Sequence, residues 1–286
     1  VALGETTEAT LPEKVATMLR ERIDQGTLEL PVLPETAAQV VASTGREDCD
    51  LRALAELVRR DQAMATHFLR VANSALYLPK TKIVSLQQAL SRLGMKTVRE
   101  IALLISVKTR TFQVRGYERQ LKEQFQHSLG AALFAQEIAR MRRYNVEEAF
   151  LAGLLHDVGR PVLLQALVDL HKAAKLTPDN AAIEAAARVD HAQVGSALVA
   201  KWSLPASLAD TIRFHHDPKS AAGDVKGAMM ASLADELSHH VLDTEPHDEA
   251  RVRRHVALDI LNLYPEDVDK LLGLRERVTE MVAAIA

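Results

Sequence analysis

The chain has 286 residues and a formal charge of −3, too little net charge for a global field that would favour nucleic acid or an anionic membrane. Apolar residues make up 48% and aromatics 4%, with only 12 glycines, a balance that favours an all-helical protein with a large core. The single cysteine, Cys49, excludes an internal disulfide framework and fits a reducing, cytoplasmic setting.

In chain order, Thr10 to Gln25 reads as a helix with Val15, Met18, Leu19 and Ile23 on one face, and residues 1–27 as an N-terminal helix unit. Leu30-Pro31-Val32-Leu33-Pro34 breaks it, because proline disfavours helical geometry in the residue before it. Apolar spacings of three and four then predict helices over Glu35 to Ser43, Leu51 to Arg60, Ala63 to Ala72, Leu86 to Leu93 and Met95 to Val107. Asp50 and Ser85 stand where helix caps belong, and Gly94 where one helix ends and the next begins. Residues 28–115 form a first bundle of about five helices on this reading.

A second bundle is expected over 116–242, from Leu121 to Arg143, Val146 to Leu155, Pro161 to Leu176, Ala181 to Val189, His191 to Trp202, Pro205 to His215 and Lys226 to Leu242. The apolar run Ala149 to Val168 is interrupted by His156, Asp157 and Arg160, so it reads as a buried helix pair rather than a membrane span. Asp243 to Glu249 is polar and reads as a loop. Residues 243–286 end in a helix pair, Ala250 to Leu261 and Asp267 to Ile285. Its stripe of Leu271, Leu274, Val278, Met281, Val282 and Ile285 suits a core and leaves room for a homodimer. Basic clusters at Arg59-Arg60, Arg140 to Arg143 and Arg251 to Arg254 read as solvated helix faces.

The chemistry-bearing residues lie in the second bundle. Glu123 and His127 are four apart and would share a helix face, as would His156 and Arg160. His156-Asp157 follows Phe150-Leu151-Ala152-Gly153-Leu154-Leu155, so a charged pair is carried toward a core, where a metal is a good partner. His191, His215-His216 and Asp235 complete a mixed nitrogen and oxygen set. That set suits one or two ions of Fe, Mn, Co, Ni or Zn better than Ca or Mg. His67, His171, His239, His240, His247 and His255 read as surface or core histidines. Trp202, the sole tryptophan, reads as a packing anchor.

The run Ala152-Gly153-Leu154-Leu155-His156-Asp157-Val158-Gly159 resembles the central motif of HD-superfamily proteins, and more narrowly of the HDOD family of bacterial output domains. Further matches are Leu30 to Pro34, Leu69-Arg70-Val71-Ala72-Asn73-Ser74-Ala75, Leu93-Gly94, His191-Ala192-Gln193-Val194-Gly195, Trp202-Ser203-Leu204-Pro205 and His215-His216. The resemblance implies two packed helical bundles, the second HD-like, in a non-catalytic module that regulates through contacts with signalling proteins. It also suggests that Asn73 helps hold one bundle against the other. Carrying over the ligand pattern of the related HD-GYP phosphodiesterases implies Glu123, His127, His156, Asp157, His191, His215, His216 and Asp235 as metal ligands. Two positions depart from those enzymes. Arg160 replaces their lysine, and Asp217-Pro218-Lys219-Ser220 stands where they carry a Gly-Tyr-Pro loop. The alternative reading is a metal-dependent phosphohydrolase acting on another phosphoester or nucleotide, with Asp157 bridging two ions and Arg160 clamping phosphate.

Overall fold

The computed structural model describes residues 11–46, 48–73, 81–106, 114–174, 190–242 and 248–285. The helix expected over 181–189, most of the polar loop at 243–247, and Glu47, Ser74, Ala75, Val107 and His247 lie outside these residues, as do the side chains of Val15 and Ile285. The described residues are helical, with no strand among them.

The first bundle is built on α5 (Leu86–Ser106), against which α2 (Glu35–Thr44), α3 (Leu51–Arg59) and α4 (Gln62–Ala72) pack. Leu90, Leu93, Val98, Ala102 and Leu103 are buried on α5, at helical spacings that meet Val40, Leu54, Val58 and Phe68 in the core. Gly94, at φ 79° and ψ 157°, is non-helical and divides α5 into the two helices expected, which meet there across a kink. Asp50 caps α3 by accepting from the Arg52 amide at 2.9 Å, and Asp61 caps α4 by accepting from Met64 at 3.1 Å. Each such cap contributes about 1 kcal/mol. Asn73 works within this bundle rather than between bundles. Its amide donates to the carbonyls of Leu69 and Ile83, and its oxygen accepts from the Ile83 amide, each at 2.8 Å. The end of α4 is thereby tied to the strand of chain entering α5.

In the second bundle α6 (Glu118–Arg142) packs against α7 (Val146–Leu155) and α11 (Val225–Leu242). Around them lie α8 (Gly159–Ala173), α9 (His191–Lys201), α10 (Ala206–Phe214) and a 3₁₀ turn at Pro218–Ser220. The helical stretch Val146–Ala173 is long and apolar enough to cross a membrane by composition, yet 83% of its most apolar window is buried inside the protein. The turn at 156–158 divides it into two core helices. Gly153 makes this possible at α7, because a Cβ there would stand 2.6 Å from the Ala131 backbone of α6.

The N-terminal helix α1 (Leu11–Asp24) packs on α8 of the second bundle. Of its expected apolar face, Leu19 and Ile23 are buried while Met18 is exposed. Among the described residues, two hydrogen-bonded links join the bundles beside the packing of α5 on α7. Arg99 of α5 reaches Glu147 of α7 at 2.9 Å and the Thr44 carbonyl at 2.8 Å. Trp202 is buried, and its indole N–H donates to the Pro31 carbonyl at 3.0 Å beside a Lys201 contact to the Leu30 carbonyl at 2.7 Å. The Leu-Pro segment is thus held down by the tryptophan as well as being a helix breaker.

The terminal helix pair is instead four short helices, α12 (Glu249–Arg253), α13 (Ala257–Leu261), α14 (Pro265–Leu272) and α15 (Arg275–Ile285). Asn262 in the left-handed region at φ 51° ends α13, and Pro265 can only begin a helix. The apolar stripe is spent within the chain. Leu271, Val278 and Val282 are buried, and α14 and α15 pack on α6.

Candidate metal centre

The second bundle brings seven of the eight proposed ligand residues into one cluster, buried except at the exposed His216 and the half-buried Asp235. His127 comes from α6, His156 and Asp157 from the turn after α7, His191 from the start of α9, His215 and His216 from the end of α10, and Asp235 from α11. Asp157 is the hub. Its Oδ1 lies 3.0 Å from His191 Nε2 and 3.8 Å from His215 Nε2, while its Oδ2 lies 3.3 Å from His156 Nε2. Asp235 Oδ1 stands 2.9 Å from His127 Nε2 and 3.4 Å from His156 Nε2. His216 Nε2 closes the far side at 2.9 Å from His191 Nε2. Two overlapping donor groups result, Asp157 with His191, His215 and His216, and His127, His156 and Asp157 with Asp235 beside them.

Gly159 sets how close these elements come. A Cβ at that position would lie 2.0 Å from the His191 carbonyl oxygen, so α8 begins in direct backbone contact with α9. Side-chain volume there would push His191 away from Asp157. On the other side, Ser238 of α11 donates to the His127 carbonyl at 2.8 Å and pins α11 to α6.

The hydrogen bonding identifies what the cluster can hold. His156 Nδ1 lies 2.8 Å from the Gly153 carbonyl and His215 Nδ1 lies 2.6 Å from the Ile212 carbonyl. A carbonyl only accepts, so both Nδ1 atoms carry a proton, and in its neutral form each ring turns a bare Nε2 lone pair inward. These lone pairs face carboxylate oxygens and one another. Asp157 Oδ1 and Asp235 Oδ1 are buried with only ring nitrogens as close polar neighbours, His191 Nε2 at 3.0 Å and His127 Nε2 at 2.9 Å. Acceptors gathered on acceptors require a cation between them, and a donor set of imidazoles and carboxylates fits a transition ion. A proton is the other cation available. Burial opposes it on His156, but Asp157 and Asp235 prevail and lift that ring to about 10, whereas burial and the neighbouring His156 and His216 push His215 down to about 3. Burial opposes ionisation of Asp157 and Asp235 too, yet the adjacent His156 and Arg160 cations hold Asp157, and His127 and His156 hold Asp235, well below the usual carboxylate range.

Glu123 is the residue that the structure leaves outside. Its side chain is 53% exposed and pairs with Arg119 at 3.7 Å. The neighbour at position 124 turns inward instead, and Gln124 donates to Asp157 Oδ2 at 2.9 Å while its carbonyl oxygen accepts from Arg160 at 3.3 Å. Arg160 also lies 3.1 Å from Asp157 Oδ2 through Nε, so the Arg-Gln pair steadies the hub carboxylate. His156 and Arg160 do not share a helix face as expected, since α8 begins only at Gly159. His239, read from sequence as a bland histidine, stands 3.3 Å from Asp235 Oδ1 and joins a third donor group with His127 and Asp235. Its signal was available, because it lies four residues after Asp235 on one helix face. His171 is the ordinary core histidine expected, bonded to the Leu167 carbonyl at 2.8 Å.

A family model for the HDOD domain matches residues 30–218. The chain belongs to the HDOD family. An uncharacterised protein of Treponema pallidum is 26% identical over 246 residues, covering 82% of this chain and 46% of the relative, so the chain spans about half that protein's length. Among solved structures, an HDOD domain protein of unknown function from Geobacter sulfurreducens is 26% identical, with a TM-score of 0.68 over 96% of this chain and 97% of that one. A candidate metal-dependent phosphohydrolase from Shewanella amazonensis shares the fold at 20% identity and a TM-score of 0.74, over 96% and 99% of the two chains. In this HDOD chain the cluster forms the floor of an open cleft of 640 Å³. Arg160 and His216 line it from within the family match, and Asp235, His239, Arg251 and Arg254 from the helices beyond it.

Proposed function

We propose that this chain is the output module of a bacterial signalling protein, built around a transition-metal centre and acting through contacts with other signalling proteins in the cytoplasm. The observation that carries this reading is the pair of buried carboxylate oxygens, Asp157 Oδ1 and Asp235 Oδ1, whose only close polar neighbours are imidazole nitrogens within metal-ligand reach of one another. Asp157, His191, His215 and His216 would hold one ion, and His127, His156, Asp157 and Asp235 a second, with Asp157 common to both. His239 is an added donor for the second ion. Bound there, Fe, Mn, Co, Ni or Zn would fix the relative positions of α6, α9, α10 and α11, and would supply Lewis acidity to any phosphate that reached it.

A second reading has its own support. The cleft over the cluster is open and polar, and Arg160 sits on its wall three residues from the hub carboxylate. A phosphoester or nucleotide could enter there, with Arg160 clamping its phosphate. This HDOD chain would then be a metal-dependent phosphohydrolase rather than a purely structural output module.

Elemental analysis of protein purified without chelator or metal-binding tag, beside Asp157→Ala, tests the shared premise. One or two transition ions per chain, lost in the variant, are expected; an equal absence of metal from two equally stable proteins would overturn the metal centre. Turnover of a phosphoester panel by the loaded wild type, abolished in folded Asp157→Ala, would decide for the second reading. Loaded but inert protein would decide for the first.

A further inference from the structure

Away from the candidate metal centre, the bundles and the terminal helix flank a second, partly open feature. A cavity of 160 Å³ lies where α4 and α5 meet α6, α7 and α15. Its walls are mostly apolar, from Val71, Ile101, Leu133, Phe150, Val278 and Met281. An apolar cavity of about 150 Å³ engineered into another protein stays dry and takes up benzene.

Glu100 of α5 makes this more than a packing gap. It lines the cavity, is only 7% exposed, and has no hydrogen-bond partner among the described residues. A buried carboxyl normally has a partner. Burial, reinforced by the nearby Glu147 charge, keeps it protonated by raising it to about 8, against the opposing pull of Arg140, Lys96 and Arg99. A neutral carboxyl donates one hydrogen bond and accepts another. Of the basic lining residues, Arg140 is exposed and paired with Glu137, Arg277 is exposed, and the buried His67 adds one imidazole.

We propose that this inter-bundle cavity is a binding site for a small, uncharged and mainly apolar molecule whose single hydrogen-bonding head is held by the Glu100 carboxyl. The occupant has the size of a monocyclic aromatic alcohol. It would touch Leu129, two residues beyond His127 on α6, and Phe150, six residues before His156. Occupancy would therefore be felt by the two helices that deliver those histidines, while the first bundle supplies the head group's partner. The site stands on its own geometry and does not require the metal.

The test uses the full chain and four probes that share one ring: benzyl alcohol, toluene, benzylamine and benzoate. Binding is followed by shifts of backbone amide resonances around the cavity. Benzyl alcohol should bind wild type more tightly than the other three, by about tenfold over toluene, the value of one good hydrogen bond. Glu100→Leu should erase the preference for alcohol over toluene. Val278→Phe, which fills the space from α15, should abolish both, with circular dichroism showing the fold retained. No saturable binding of any probe to wild type would overturn the site. Benzylamine or benzoate binding more tightly than the alcohol would overturn the neutral ligand class. These two outcomes need no variant to fold.

Discussion

In the first bundle Asp50, Asp61 and Asn73 each find backbone partners within ten residues, whereas in the second Asp157 and Asp235 turn buried oxygens toward imidazoles drawn from distant elements. The first bundle satisfies its polar groups locally and becomes a scaffold. The second gathers carboxylates and imidazoles from distant elements into one group that could hold an ion. The contrast separates residues that hold the fold from residues that could hold an ion.

The largest effect expected from breaking this contrast is at Gly159. Gly159→Ala places a methyl group within bonding distance of the His191 carbonyl oxygen, so the backbones must separate. Denaturant unfolding should show a loss of at least about 3 kcal/mol, and metal content should fall with it. A loss below about 1 kcal/mol would mean that α8 and α9 are not in contact as described.

Next comes the hub. Asp157→Asn preserves shape but removes the charge, so stabilisation by added Mn or Zn, worth about 2.7 kcal/mol at a hundredfold excess over Kd, should vanish from thermal melts. Asp50→Ala should leave that metal-induced gain intact. If both variants keep the gain, the metal is held elsewhere.

Glu100 gives a pH signature at the junction of the two bundles. Its folded value of about 8 lies above the ordinary 4.5. Below that ordinary value the carboxyl is neutral in both states and its contribution is fully present. As pH rises toward 8 the unfolded chain releases the proton first, so stability falls, by at most about 1.4 kcal/mol per unit of pKa difference. Wild type should therefore lose stability relative to Glu100→Gln over this range and level off above it. A constant difference across the range would contradict a buried, protonated Glu100.

Smaller still, Arg99→Ala should cost about 1 to 2 kcal/mol, since its half-buried pair with Glu147 is broken while the metal content is untouched. Asp61→Ala should cost about 1 kcal/mol in the same unfolding assay. Either variant losing metal would show that the scaffold and the centre are not separable.

Much of this was legible in residue order. The helical spacing, the caps at Asp50 and Ser85, the break at Leu30 to Pro34 and the burial of the run leading to His156 all depend on neighbours within a few positions. Helix ends, the His-Asp pair and the family pattern are local signals of the same kind. Glu123 shows the limit. The four-residue rule gives it a face shared with His127, but at the emerging end of α6 that face is wide enough for position 124 to point inward and position 123 outward. His239 shows the converse, a residue at the same spacing from Asp235 that does turn inward.

The sequence by itself determined that the chain is helical, that it is an HDOD protein, and which histidines and aspartates were candidates, because periodicity and motif order are properties of the chain. Only the tertiary structure decided which candidates meet. Whether Gln124 or Glu123 faces Asp157, whether the terminal stripe is free or spent on α6, and whether Glu100 finds a partner depend on how helices distant in sequence are rotated and spaced. That rotation is set by packing across the core, where a single absent Cβ at Gly159 brings two backbones into contact.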